Sequence, residues 1–349
     1  MRSKKNILNF KLSHITFIAS FTCILAWLSG CSPTREHTKA LDPQSTIIPH
    51  FDIEQERFTS FDGAKLGLTV WQAKNAAQKI EHPKYVVVGV HGMNDYANAF
   101  EYAGPYWAAR GVTTYAYDQR GFGRSHARGL WPEEELMRDD LRTAIEVTRQ
   151  KHPHAILTVV GISMGSAVVM TAFADNPPTQ VDRVILSGPG LRGWGALPLY
   201  QRISLWFSSS VNPGWVVVPP KSVVRKITPS DNYDMLVRRG RDKLNVFDNR
   251  IDQVYGVVSV MENGHKAAVH LPPNTLMLYG AHDDIIPEKF MRRTAPTLPK
   301  HVRTAYYQNG YHMLMRDLAY ETILEDELAF MHDPNAPLPS DAPPIPWAL

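Results

Sequence analysis

The stretch "AILTVVGISMGSA", Ala155 to Ala167, limits this chain more than any other. An unbroken apolar and β-branched run ends at Gly161-Ile162-Ser163-Met164-Gly165. A helical pattern begins at once over residues 164–174. A run with no polar alternation suits a strand covered on both faces. Similar runs recur as "KLGLTVW", "YVVVGV", "VTTYAYD", "DRVILSG", "NTLMLYG" and "VRTAYYQ". Helical patterns lie between them, around residues 97–110, 133–152, 288–297 and 317–331. This alternation predicts an α/β fold with a mostly parallel sheet. The 349 residues suffice for one large domain or two ordinary ones. The rhythm breaks over residues 191–270, where amphipathic patches replace buried strands. That segment reads as a helical cap inserted between core segments 51–190 and 271–332.

The two ends read differently. Arg2, Lys4, Lys5 and Lys11 precede a short apolar run, "ITFIASFTCILAWL", and then "LSGC", ending at Cys31. These are the parts of a secretory signal over residues 1–30. The apolar run is shorter than the roughly 20 residues of a membrane span. It resembles the bacterial lipobox, which implies a lipid on Cys31 and an exported, membrane-anchored lipoprotein. Ser32 is not the Asp associated with inner-membrane retention, which points to the outer membrane if the organism has one. Residues 31–50, with Pro33, Pro43 and Pro49, read as a tether. The Pro-rich residues 333–349 read as an extended or disordered tail.

Composition excludes several chemistries. The signal holds four of the 37 basic residues and no acidic one. Without it, 33 basic and 34 acidic residues remain, so there is no case for nucleic acid. Both cysteines, Cys23 and Cys31, lie in or at the end of the signal. The mature body therefore has no intramolecular disulfide, catalytic thiol or Cys-based zinc site. No H-E-x-x-H metal signature occurs.

The turn at Ser163 fits G-x-S-x-G between strand and helix, the context a nucleophile elbow requires. A serine hydroxyl is a weak nucleophile without a base, and the base needs an orienting acid. In this arrangement the order is Ser, acid, His. His312, in "NGYHMLM", follows the last core strand in a loop before a helix. His282 precedes both candidate acids of its own loop, and His332 borders the tail. His265, His270 and His301 precede strands, at the wrong end of the sheet. The acid belongs at the end of the preceding strand, where "YGAHDDIIP" offers Asp283 and Asp284. Spacing alone does not separate these two. An oxyanion hole needs two backbone donors: the Met164 N–H after the nucleophile, and the Met93 N–H in "VVVGVHGMNDY". Two glycine motifs are decoys. "GPGLRG", Gly188 to Gly193, matches G-x-G-x-x-G, but no strand ending in an acid follows. "RGFGRS" lacks the third glycine.

Together these residues resemble the α/β-hydrolase superfamily, nearest its monoacylglycerol lipase and lysophospholipase-like branch, also called serine aminopeptidase-like. The resemblance spans about residues 58–330. It rests on "HGMNDYANAF", "DQRGFGRS", "GISMG", Gly280 to Pro287, and "GYHML". It implies an α/β-hydrolase fold, a Ser163–Asp283–His312 triad, no cofactor and an acyl-ester lipid substrate. The acid motif G-x-x-D-x-[IV]-[IV]-P matches only if Asp283 is the acid. Where the family often continues G-E-H after the HG loop, this chain has Asn94-Asp95-Tyr96, and the His312 motif is one residue short after Gly310. The cap carries 11 basic and 6 acidic residues. Leu199, Ile203, Trp206 and Phe207 fall on one helical face. Such a face can form an acyl-binding lid that docks on anionic lipid. Amphipathic helices ordinarily pack on a core, so packing is the expectation here.

Overall fold

A computed structural model describes residues 37–38, 47–75, 78–218, 222 and 225–348. The signal, Cys31 and the tether apart from residues 37–38 and 47–50 lie outside the described residues. Among the described residues no helix is long and apolar enough to cross a membrane.

Nine strands form the central sheet: β1 (His50–Asp52), β2 (Arg57–Thr59), β3 (Lys65–Trp71), β4 (Tyr85–Val90), β5 (Val112–Tyr117), β6 (Ile156–Ile162), β7 (Arg183–Ser187), β8 (Thr275–Gly280) and β9 (Arg303–Tyr307). Their order is β9-β8-β7-β6-β4-β5-β3-β2-β1. From β9 to β5 neighbouring strands are parallel, and β3, β2 and β1 add on antiparallel. The central runs are the most deeply buried: every residue of β5 and β8 is buried. Helices cover both faces, as parallel strands require. They include α1 (Ala103–Ala108), α2 (Glu134–Lys151) and α3 (Met164–Asp175). The cap supplies α4 (Leu199–Val211), α5 (Tyr233–Arg241) and α6 (Ile251–Ala267). The core resumes with α7 (Glu288–Thr294) and α8 (Tyr320–His332).

Sheet order places the site. The chain passes from β4 to β5 on one side, then β6 pairs on the other side of β4. At such a switch point the loops at the carboxyl ends of adjacent strands diverge and leave a crevice. The HG loop follows β4, and Ser163 follows β6.

The tail is extended and not disordered. Pro343 O accepts the Tyr306 N–H at 2.8 Å, and the Ile345 N–H donates to Thr304 Oγ1 at 2.9 Å. Leu338 and Ile345 are buried. The tail thus covers β9, an edge strand with free backbone groups. Its prolines break regular structure, but Leu338 and Ile345 between them supply the burial that holds it.

Candidate active site

Ser163 begins α3 with φ +52° and ψ −119°, a left-handed conformation that costs a non-glycine residue energy. The surroundings impose it. A Cβ on Gly165 would stand 2.2 Å from Val90 O and 2.6 Å from His91 O, so only glycine lets α3 enter there. The Ser163 N–H donates to Ser187 O, and Ser163 O accepts from Ser166 and Gly190. The turn is thereby pinned on three sides, with the hydroxyl raised above the sheet.

The other expected residues converge on it. His312 Nε2 lies 2.9 Å from Ser163 Oγ, and His312 Nδ1 lies 2.8 Å from Asp283 Oδ2. All three residues are buried. Asp283 Oδ1 accepts the N–H groups of Ile285 and Ile286 at 2.9 and 2.7 Å. One oxygen is thus anchored by backbone and the other faces the imidazole. Asp284 points elsewhere: its carboxylate accepts the Thr228 N–H of the cap at 3.1 Å. Asp283, not its neighbour, joins the Ser–His pair.

The HG loop is braced from behind. The Gln119 N–H donates to His91 Nε2 at 2.8 Å, which leaves the ring proton on Nδ1 to donate to Gly92 O at 2.7 Å. In a trans peptide, fixing the Gly92 carbonyl fixes the opposite direction for the Met93 N–H. A Cβ on Gly92 would stand 3.0 Å from Ser163 Cβ, so this loop lies directly against the nucleophile. Among the described residues, neither the Met93 nor the Met164 N–H donates to another group. The "DQRGFGRS" motif is scaffold: Asp118 accepts from Ala97 N and Arg124, and Arg120 lies buried between Asp62 and Asp140.

Comparison with known proteins identifies the family and the fold. The model of the family described as serine aminopeptidase, S33, matches residues 81–319. The chain belongs to that family. It is a serine hydrolase of the α/β-hydrolase fold. It is similar to a monoacylglycerol lipase of Mycolicibacterium smegmatis, at 23% identity over 78% of this chain and 94% of the relative. Among solved structures, it shares its fold with the monoacylglycerol lipase of Paleococcus ferrophilus, with a TM-score of 0.60 and 20% identity over 76% of this chain and 98% of the other. The monoglyceride lipase of Saccharomyces cerevisiae, in a soluble variant bound to a substrate analogue, gives a TM-score of 0.62 and 20% identity over 84% and 98%.

On this hydrolase scaffold the structure adds residues that sequence reasoning missed. Asp95, three residues beyond Gly92, is buried and accepts Arg316 at 2.6 Å and Arg239 of α5 at 3.3 Å. Burial alone would raise its pKa, but the two guanidiniums outweigh burial and hold it at about 2. The cap segment before α5 is also tied to the His312 loop. Ser230 Oγ donates to Asp317, Asn232 Nδ2 to Arg316 O, and the Met313 N–H to Pro229 O. No local pattern marks these pairs; the departure at Asn94-Asp95-Tyr96 was the one signal.

Between cap and core lies a cavity of about 490 Å³. Val254, Val257, Val258 and Met261 of α6 form one wall, with Ile285 and Ile286 beside Asp283. The wall from α4 is different. Gln201, Ser204, Leu205 and Ser208 face the cavity. Leu199, Ile203 and Phe207 are exposed, so the expectation that this face packs on the core fails for three of its four residues. Trp206 alone is half-buried. The reason is geometric: α6 already fills the seat on the core, and α4 lies above it. The "GPGLRG" decoy has a structural role, since the Gly190 N–H donates to Ser163 O.

Proposed function

We propose that this hydrolase cleaves single-chain lipid esters, monoacylglycerol or lysophospholipid, through an acyl-enzyme. The observation that carries this reading is the relay Ser163 Oγ–His312 Nε2–Asp283 with two uncommitted amides, together with a cavity lined by Ile285 and Ile286, whose N–H groups hold Asp283. Ser163 attacks the ester carbonyl as His312 takes its proton. The Met93 and Met164 N–H groups receive the developing oxyanion, and imidazolium then protonates the departing alcohol. Water, activated by the same imidazole, releases the acid. Asp283 keeps the ring in the tautomer this requires.

The named activity of the M. smegmatis relative supports a monoacylglycerol, and the cavity's apolar α6 wall suits an acyl chain. The amino-terminal segment and the exposed apolar face of α4 both support a place at a membrane, with Cys31 as the lipidated residue. The exported, outer-membrane location rests on that same segment.

Labelling with a serine-reactive fluorophosphonate tests the chemistry. Wild type should label and Ser163→Ala should not; equal labelling of both sinks it. An acyl-chain series with glycerol, phosphocholine and simple alcohol leaving groups tests the substrate. A profile limited to short chains would favour a carboxylesterase and reject the lipid reading. Cys31→Ser should leave the membrane fraction; retention there rejects the anchor.

A further inference from the structure

Met93 stands between two held carbonyls. On its amino side, Gly92 O takes the His91 ring proton. On its carboxyl side, Asn94 O accepts Arg239 Nη2 of α5 at 3.1 Å and the Val246 N–H of the following cap loop at 3.4 Å. Asn94 has φ +62°, a left-handed conformation that asparagine adopts more readily than most residues. An asparagine in a turn often bonds its own backbone through its side chain. Here Oδ1 is buried and, among the described residues, has no hydrogen-bond partner. The support for this turn comes instead from the cap. Arg239 is itself aimed. Its Nε donates to Asp95 Oδ2 at 3.3 Å, and the same oxygen takes Arg316 at 2.6 Å. Asp95 Oδ1 accepts the Tyr96 N–H at 3.0 Å. Side-chain exposure is 4% for Asp95, 5% for Arg316 and 15% for Arg239, so water competes little for these bonds. Arg316 lies shortly after His312 in the chain. One carboxylate thus joins the oxyanion loop, the histidine loop and α5.

We infer that Arg239 is a positioning residue for the Met93 oxyanion donor, and that α5, although part of the cap, belongs to the fixed catalytic frame. This rests on the ester-hydrolase reading above. Arg239 acts through Asn94 O and not on the reacting atoms. An amide stabilises a developing oxyanion best when it already points there, because reorientation during the reaction costs energy. Peptide units are rigid planes. With Gly92 O fixed before Met93 and Asn94 O fixed after it, the Met93 N–H has little freedom to turn away. Bonds from a guanidinium to buried acceptors are charge-assisted, and so strong enough to hold a left-handed turn. The cap is then divided in function. Movement that admits lipid falls to α4, and separation of α5 from the core would loosen the Met93 amide.

Arg239→Met keeps the apolar stem and removes the bonds. With nitrophenyl butyrate and with a nitrophenyl ester of a long-chain acid, its kcat should fall by about 10- to 100-fold while KM stays within about twofold, the scale of a misplaced catalytic group. Complete loss of an oxyanion donor costs more, roughly 100- to 1,000-fold. Arg239→Lys restores one donor and should recover part of the rate. A trifluoromethyl ketone, whose adduct with Ser163 bears the oxyanion, should bind more weakly to Arg239→Met by the same factor as kcat/KM. The parent methyl ketone, which stays trigonal, should bind unchanged. Tyr102→Phe is the control, because it removes another bond from α5 to the core, Arg238 Nη2 to Tyr102 Oη at 2.7 Å, without touching the oxyanion loop. It should stay within about twofold of wild type, the scale of a surface substitution. An unchanged kcat in Arg239→Met overturns the inference. So does a loss confined to KM for the long ester, which would make Arg239 part of the acyl wall. Equal losses in Arg239→Met and Tyr102→Phe, or equal weakening of both ketones, would reduce its role to seating the cap and overturn it too. If Arg239→Met does not fold, as read by urea denaturation, Arg239→Lys carries the same comparison. A wild type inert to fluorophosphonate and to both esters rejects the hydrolase reading and this inference together. An active wild type with any of the overturning results rejects this inference alone.

Discussion

The core side and the cap side of the cavity are held by different means. On the core side, both ring nitrogens of His312 and both oxygens of Asp283 are engaged. Helix α6 belongs with this side, although it is part of the cap. Its Gly264 lies against Ala167 of α3, and Val260 and Met261 join the main core. Helix α4 does the reverse. Ser209 is its one fully buried residue, its hydroxyl stripe faces inward, and Leu199, Ile203, Phe207 and Val211 face outward. A helix that shows water its apolar face loses the burial that stabilises ordinary surface helices. Preorganisation is therefore confined to the groups proposed to do the chemistry, and the apolar face proposed to meet lipid is left without protein partners.

The sharpest way to break this contrast is inside the engaged half. Asp283→Asn should lower kcat by about 10⁴, the scale seen when a triad loses the acid that sets the histidine tautomer. Asp284→Asn should stay within about a factor of two, the scale of a surface substitution. Steady-state kinetics on one soluble ester decides it, and the reverse order would assign the relay to the wrong neighbour. Next in size is the seat of α6. A Cβ at position 264 would come within 2.8 Å of Ala167 Cβ, and both atoms sit on packed helices. Gly264→Leu should cost about 1–3 kcal/mol or more by overpacking, read as a lower Cm in urea. An unchanged Cm would mean that α6 is as loosely held as α4.

A smaller effect lies in acid. Hydrogen bonds from Arg293 hold the Glu262 carboxylate at about 2, against an ordinary 4.5. A depressed folded-state pKa contributes stability above the unfolded value, and this is lost as pH falls through the folded one. Glu262→Gln should therefore be less stable than wild type near neutrality. The gap should close between about pH 4.5 and pH 2. Denaturation at a series of pH values measures it. A gap independent of pH would mean that the carboxylate's charge does not seat the cap.

Much of the engaged half was legible because its signals are local. The strand runs are buried on both faces, and their limits in the structure agree closely with the apolar runs. The elbow is a short motif with strict steric needs, and the order Ser, acid, His needs no distance to read. Strands β1 and β2 escaped notice because three residues each carry too little periodicity. Asp95 meets Arg316 across 221 positions and Arg239 across 144, and such pairs leave no periodic trace. The α4 face was legible as a face, but periodicity says only that a helix has two sides. Which side meets protein depends on what already fills the core, and here α6 fills it.

The smallest expected change in stability tests the outward face of α4 itself. Phe207 is 59% exposed and Ile203 57% exposed, one turn apart on the same surface. If no protein lies over them, Phe207→Ser and Ile203→Ser should shift stability by no more than about 0.5 kcal/mol. Truncation of a core phenylalanine would instead cost about 3–5 kcal/mol. The functional effect should run the other way. Each buried methylene contributes about 0.8 kcal/mol at a lipid interface, so losing both side chains should weaken partitioning to lipid vesicles by tenfold or more. Co-sedimentation with vesicles of the Cys31→Ser protein, in which the proposed lipid anchor is removed, isolates this contribution. Unchanged partitioning with unchanged stability would mean that the face meets neither lipid nor core.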